Sequence, residues 1–403
     1  MSNMISADQL AQLRDDTPGL NSGVHLNHAG ASLMPQAALQ AIHAHLDLEA
    51  QVGPMEAGLL VADKLQDLRK HAAQLINAQA DEIALMTSGS SAFGSMFAAM
   101  PRLNKGERIL VGRQEWGGNL ANYQRAALAA GASVETIHCH VDGSVNAHAL
   151  ANMIDSRVRL ISLTWLPANS GLINDAAAVG KVAAAAGVPY IIDAGQALGQ
   201  VPVDVQTLQC DVLKSAGRKH LRGPRGTALL YVRRTFLQQL EPAWVDVSSA
   251  PISTDAVHLR DDARRFETSE AAVALQLGLA ESIKLALEWG VDQLGQVSAG
   301  LASACRTRLA RMPGITLHDL GDLSDLGIGP QSGIVAFNLR GHDAMALKNK
   351  LAQQLIYIGA NGIPYTPLDM QARGLHSIAR ASFSYLNTVD DVEKLARALE
   401  QLA

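Results

Sequence analysis

The chain has 403 residues, 48% of them hydrophobic and 18% charged, enough for one large core and a smaller second one. A net charge of −5 and a pI near 6.2 exclude the basic field that phosphate backbones require, and no apolar run approaches the ~20 residues that span a bilayer, so neither nucleic acid nor a membrane is an expected partner. Cys139, Cys210 and Cys305 are too scattered for a disulfide framework, and the start lacks the charged and apolar parts of a signal peptide, so the chain reads as cytoplasmic.

Ser6 to Arg14 reads as a short capped helix. His25 and His28 follow, three residues apart, but no further ligand type comes at useful spacing and no metal is expected. Helices are predicted from Pro35 to Gln51 and from Glu56 to Ile76, the second with apolar residues at three-four spacing. Ile83-Ala-Leu-Met-Thr-Ser-Gly-Ser-Ser-Ala92 is a strand, a small-residue turn and a helix start, and unhindered N–H groups with hydroxyls at such a turn seat an anion. The strand that begins at Arg108 runs on to Trp116 and two glycines that leave the indole room. Val134 to Val141 alternates as a strand closing in an Asp-Gly turn, with His138 and His140 on one face as structural residues.

A strand from Leu160 to Trp165 and an Ala-rich helix from Asp175 to Ala186 lead to Tyr190-Ile-Ile-Asp193, a strand whose end presents Asp193 and then Gln196. Asp211-Val-Leu-Lys214 then approaches Lys219, and a Gly223-Pro224 loop feeds the next strand. This alternation predicts a parallel, helix-flanked sheet with its ligand at the C-terminal strand ends. Long helices follow over 269–289 and 291–312, then strands at Ile334–Asn338 and Ala381–Tyr385, a helix from Asp343 to Leu355 and a closing amphipathic helix from Val389 to Leu402.

A lysine at a strand end, with Arg218 and Arg222 nearby to disfavour its protonation, has the surroundings of a Schiff-base nucleophile. With an acid, Asp193, at the neighbouring strand end, the pair suits pyridoxal 5'-phosphate: the aldehyde carbon bonds the lysine, and the carboxylate keeps the ring nitrogen protonated so that the ring draws electrons from a carbanion. Lys214 is the rival lysine, on the approaching strand without the Gly-Pro loop after it.

With these motifs in this order, the chain resembles the class V aminotransferases, the fold-type I group that also holds cysteine desulfurases, C–S lyases and isopenicillin N epimerase-like enzymes. The resemblance implies an α/β fold-type I transferase: an N-terminal segment (1–30) near the active site, a large cofactor domain (31–265) with a mostly parallel sheet, and a linking helix with a small C-terminal α+β domain (266–403). It places the cofactor phosphate on Gly89, Ser90 and Ser91 and stacks Trp116 on the ring, where the family usually has histidine. It makes Lys219 and Asp193 the catalytic pair and puts Gln196 against the phenolic oxygen. Arg218 replaces the family's histidine before the lysine and suits the phosphate. Ala168 stands where the family carries an asparagine, and Ala216 where it carries a serine. Thr268 implies a phosphate contact to the neighbouring subunit, hence a homodimer with shared sites. Arg380 implies a guanidinium forked onto a substrate carboxylate, with His28 lining the substrate pocket.

The desulfurase loop cysteine falls near Tyr365 in this register, and no cysteine follows Cys305. The Arg-Lys-x-Leu-x-Gly-Pro-Arg-Gly run looks most like C–S lyases, including hercynylcysteine sulfoxide lyase-like enzymes of thiol-histidine biosynthesis, and epimerase-like enzymes. The expected reaction is therefore α,β-elimination on a cysteine-derived amino acid, with transamination to a keto acid and epimerisation as alternatives.

Overall fold

The computed structural model describes residues 5–254, 256–319 and 331–403. Its centre is a seven-stranded sheet made of β2 (Ile83–Met86), β3 (Arg108–Val111), β4 (Ser133–Thr136), β5 (Val158–Thr164), β6 (Tyr190–Asp193), β7 (Val212–Lys214) and β8 (Ala228–Val232). The spatial order is β2-β8-β7-β6-β5-β3-β4, with β8 antiparallel to both neighbours and the other pairings parallel.

Successive residues of these strands alternate between two apolar clusters. Ile161, Ile192 and Leu213 enter one; Leu160, Ile191 and Val212 enter the other. Both faces are thus covered, which is why the strands read as near-continuous apolar runs. The helix Val273–Trp289 packs across Gln36–Val52 and Ala62–Ile76 on one side.

A second sheet joins β1 (Val24–Leu26), β9 (Ile315–Leu317), β10 (Ile334–Leu339), β11 (Ile356–Gly362) and β12 (Ser377–Ser382) in the order β1-β11-β12-β10-β9. Only β1 and β11 pair in parallel there; the remaining pairs are antiparallel. The segment before the first long helix therefore supplies an edge strand to a sheet otherwise built from the end of the chain.

Several local expectations change. The predicted helix from Glu56 to Ile76 is two, Pro54–Leu60 and Ala62–Ile76, because the chain tightens at Val61, whose N–H bonds Gly58 O. The strand expected to reach Val141 stops at Thr136, and only an isolated Cys139–Val145 bridge crosses the following turn. The strand expected at Ala381–Tyr385 is centred earlier, on Ser377–Ser382. Among the described residues no helix is long and apolar enough to cross a membrane.

Candidate active site

The C-terminal ends of the parallel strands open into a cavity of about 380 Å³. β6 delivers Asp193, β5 delivers Thr164, and β7 delivers Lys214 and then the turn that carries Arg218 and Lys219. Lys219 Nζ lies 5.9 Å from the centroid of the Trp116 ring. Burial, with the cations Lys214, Arg218 and Arg380 added and only Asp193 opposing, pulls the Lys219 amine down to about 7.

Asp193 is almost fully buried. Burial pushes its carboxyl up, but Lys214, Lys219 and the Gly195 N–H outweigh that and hold it below the usual carboxylate range. Its Oδ1 accepts from Gly195 N at 2.9 Å, and its Oδ2 accepts from Asn119 Nδ2 at 3.1 Å and lies 2.5 Å from Lys214 Nζ. Behind it sits a buried polar cluster without an obvious sequence signature. Glu115 accepts from Asn119, Ser162 and Thr164 at 2.8–2.9 Å, and Tyr123 donates to Ser162. Asn119 thus links Glu115 to Asp193 and fixes the carboxylate's orientation.

The anion seat forms where β2 meets the helix Gly89–Ala98. Ser88 caps this helix by accepting from Ser91 N at 3.0 Å, and Thr87, Ser88, Gly89 and Ser90 line the cavity. A β-carbon at Gly89 would come within 2.6 Å of Ser215 O, so only glycine lets the helix start approach β7 this closely. Ser91 does not line the cavity: its hydroxyl bonds Thr87 and the Ser88 carbonyl. Of the expected Gly89-Ser90-Ser91, the cavity therefore presents Gly89 and Ser90, joined on the strand side by Thr87 and Ser88.

Arg380 projects from the middle of β12, opposite Gly359 of β11. A β-carbon at Gly359 would stand 3.2 Å from Arg380 Nε, so the glycine leaves the room that the guanidinium fills. Arg380 is buried; it donates to Ala168 O at 3.0 Å and Asn27 Oδ1 at 3.1 Å, and its Nε has no partner. Burial pulls it down to about 10, so it stays cationic at neutral pH. Asn361 donates to Ala168 O and Asn169 Oδ1, bracing the same carbonyl. The loop after β11 docks through Gly117 N to Tyr365 O at 3.1 Å, setting Tyr365 edge-on to Trp116 with ring centroids 5.4 Å apart.

Four expected roles meet a different local geometry. His28 is fully buried outside the cavity lining, bonded to Ser32 Oγ at 2.7 Å and edge-on to His25, because the turn after β1 points its neighbour Asn27 inward instead. Arg222 does not act on Lys219; its guanidinium is spent on Leu33 O, Tyr385 Oη and Thr17 Oγ1, and its own φ of 65° turns the side chain away. Gln196 lines the cavity, but its amide N–H donates to Ala29 O, leaving Oε1 unpartnered. Thr268 lies outside this chain's own cavity and donates to Glu270 O. The chain's own geometry therefore gives it no contact with the anion seat.

The residues present fit pyridoxal phosphate. A lysine amine and a carboxylate flank Gly195, an anion seat stands at one end, an indole lies beside the amine, and buried Gln196 Oε1 and Arg380 Nε are unsatisfied.

Residues 24–395 match the model of the family described as aminotransferase class-V. A cysteine desulfurase of Salmonella agona is 27% identical over 346 residues, covering 84% of this chain and 82% of the relative. The apo structure of a cysteine desulfurase from Thermococcus onnurineus NA1 is similar with a TM-score of 0.89 and 23% identity, over 100% of this chain and 99% of that one. The cystine C–S lyase C-DES, in complex with its product cysteine persulfide, is similar with a TM-score of 0.83 and 22% identity, over 95% and 99%. At those identities the two structures speak for the fold. The family model, spanning nearly the whole chain around Lys219, Asp193 and the anion seat, establishes that the chain belongs to the class-V aminotransferase family and is a fold-type I enzyme dependent on pyridoxal phosphate.

Proposed function

We propose that the enzyme cleaves the C–S bond of a cysteine-derived amino acid by α,β-elimination, with no cysteine thiol taking part. The observation that carries this reading is the wall around Arg380: Tyr365 and Thr366 stand there, and none of the chain's three cysteines lines the cavity. Persulfide formation needs a thiolate at the substrate. Cys305 is buried elsewhere with its thiol pushed up to about 12, and burial raises Cys210 and Cys139 as well.

Pyridoxal phosphate, when bound, supplies an aldehyde for the substrate amine and a ring that accepts the electron pair left at Cα. Gly89, Ser90 and Arg218 would hold its phosphate, Trp116 its ring face and Asp193 its ring nitrogen. Arg380 orients the substrate carboxylate, which fixes the Cα–H and the C–S bond relative to Lys219. Lys219, as a neutral amine, takes the α-proton and as an ammonium returns a proton to the departing sulfur. The released enamine hydrolyses to a 2-oxo acid and ammonia.

Cystine, cysteine and S-substituted cysteines offered to the holoenzyme should yield pyruvate and ammonia in equal amounts. Alanine as the product, or stoichiometric conversion of the cofactor to its amine form with a keto acid released, would replace elimination by desulfuration or transamination. Arg380→Lys should lower kcat/KM for amino acids about ten- to a hundredfold, the ~1.5–3 kcal/mol of a charge-assisted contact, because an ammonium cannot reproduce the planar fork. The matched decarboxylated amines should not respond, and the absorbance of the resting holoenzyme should be unchanged. Equal losses for both substrate sets would make Arg380 structural.

The reading includes a homodimer. Met55, Leu59 and Leu60, on the helix Pro54–Leu60, are 78%, 78% and 68% exposed, an apolar patch that a second subunit would cover. Thr268, outside its own cavity, is then free to reach the partner's. Sedimentation of the holoenzyme should report a dimer, and a monomer at micromolar concentration would remove that role.

A further inference from the structure

β6 and β7 pair in parallel with Asp193 directly beside Lys214, so backbone register, and not a long flexible reach, puts both side chains on one face. Both residues are 5% exposed, and Lys214 Nζ is 2.5 Å from Asp193 Oδ2. The Lys214 stem passes the anion seat, where its Cδ would lie 3.7 Å from a β-carbon at Gly89. A second amine therefore stands inside the cavity, between the seat and the carboxylate that Lys219 also faces.

Among the described residues Asp193 is the one acid lining the cavity, against Lys214, Lys219, Arg218, Arg225, Lys348 and Arg380. A buried ammonium persists only with a counter-ion in good geometry. The ladder gives the carboxylate to Lys214, whereas Lys219, on the turn beyond, has no ion-pair partner within 4 Å among the described residues.

We propose that Lys214 is the resident counter-ion of Asp193 and a positioning residue for Lys219: by occupying the carboxylate it leaves Lys219 as the free amine of the site, the one open to a carbonyl carbon. The proposal rests on reading Lys219 as the cofactor lysine. The charged or titratable groups around Lys219 are Asp193, Lys214, Arg218, Arg380 and His220, and Glu115 and Tyr123 stand behind Asp193. His220 is held neutral, pulled down to about 3 by burial, and burial raises the carboxyl of Glu115. Of these groups only Lys214 acts on Lys219 twice, repelling its proton directly and withholding Asp193 from it. Removing Lys214 reverses both effects in the same direction and favours the Lys219 ammonium.

The full-length protein, stripped of cofactor, is pulsed with formaldehyde and a mild borane reductant across a pH series, and methylation of Lys214 and Lys219 is read by peptide mass. In the parent protein Lys219 should label with a midpoint near 7, and Lys214 should lag at every pH. Lys214→Met should move the Lys219 midpoint upward by about one unit or more, whereas Lys214→Arg, which keeps the charge, should leave it in place. Asp193→Asn should bring Lys214 into the labelled set, a result that does not depend on Lys214→Met folding. An unmoved midpoint in Lys214→Met, Lys214 labelling ahead of Lys219, or an inert Lys214 in Asp193→Asn would each overturn the proposal. Cofactor binding is read separately from the absorbance of reconstituted protein. A chain that shows the shift but takes no cofactor would unseat the reading of Lys219 and leave the ion pair standing.

Discussion

Lys219→Ala should abolish turnover, with kcat/KM falling by at least the ~10²–10⁴ that a positioned acid–base group supplies. The loss is this large because Lys214, the other lysine that faces Asp193, is not free to step in. Lys214 is held 2.5 Å from Asp193 Oδ2, and leaving that oxygen would strand a buried charge. Pyruvate release under single-turnover conditions is the measurement, with methylamine added to test for partial rescue of the missing base. A variant that kept more than about one per cent of the parent's kcat/KM would transfer the acid–base role to another group.

Asp193→Asn should cost a further kind of loss, on the order of 10²–10³ in kcat, the ~3–4 kcal/mol associated with one preorganised electrostatic partner. It should also destabilise the fold, since Lys214 becomes a buried cation without its counter-ion, a situation worth about 3–5 kcal/mol. The two consequences separate in the double variant Asp193→Asn/Lys214→Met. Thermal stability should recover there, because no unpaired charge remains, while turnover stays low, because the ring nitrogen still has no carboxylate. Recovery of both together would mean that the carboxylate matters only for folding.

The large sheet, and the candidate residues at its strand ends, were legible because their signals are local. Tyr190-Ile-Ile-Asp193 and Ile83 to Ser90 carry strand, turn and chemistry within ten residues. The small sheet was legible only in part. β10 is a clean apolar run, but β11 ends in Gly-Ala-Asn-Gly, which reads as a turn, and β1 is only three residues long. Their strand character comes from pairing with each other and with β12, a tertiary fact.

The polar support of the site was hidden for the same reason. Glu115, Asn119, Asn27 and Asn361 belong to no motif, and each earns its place through a hydrogen bond to a residue distant in sequence or across a turn. His28 shows the converse. The resemblance brought it near the right loop, but the turn after β1 decides which of two adjacent side chains faces inward, and it chooses Asn27.

The pairing of β1 with β11 also sets an order of assembly during synthesis. Every strand of the large sheet lies between residues 83 and 232, so the cofactor seat, Asp193 and both lysines can come together while the ribosome is still adding the last part of the chain. Asn27, Ala29, Gly30 and Ala31 line the cavity beside Arg380, and β1 next to them has no partner until Ile356–Ile358 emerges. This is a contact of high sequence separation, and such contacts close late. A nascent chain thus acquires the means to hold its cofactor before it can grip a substrate carboxylate, and the competent pocket is sealed when β1 joins β11.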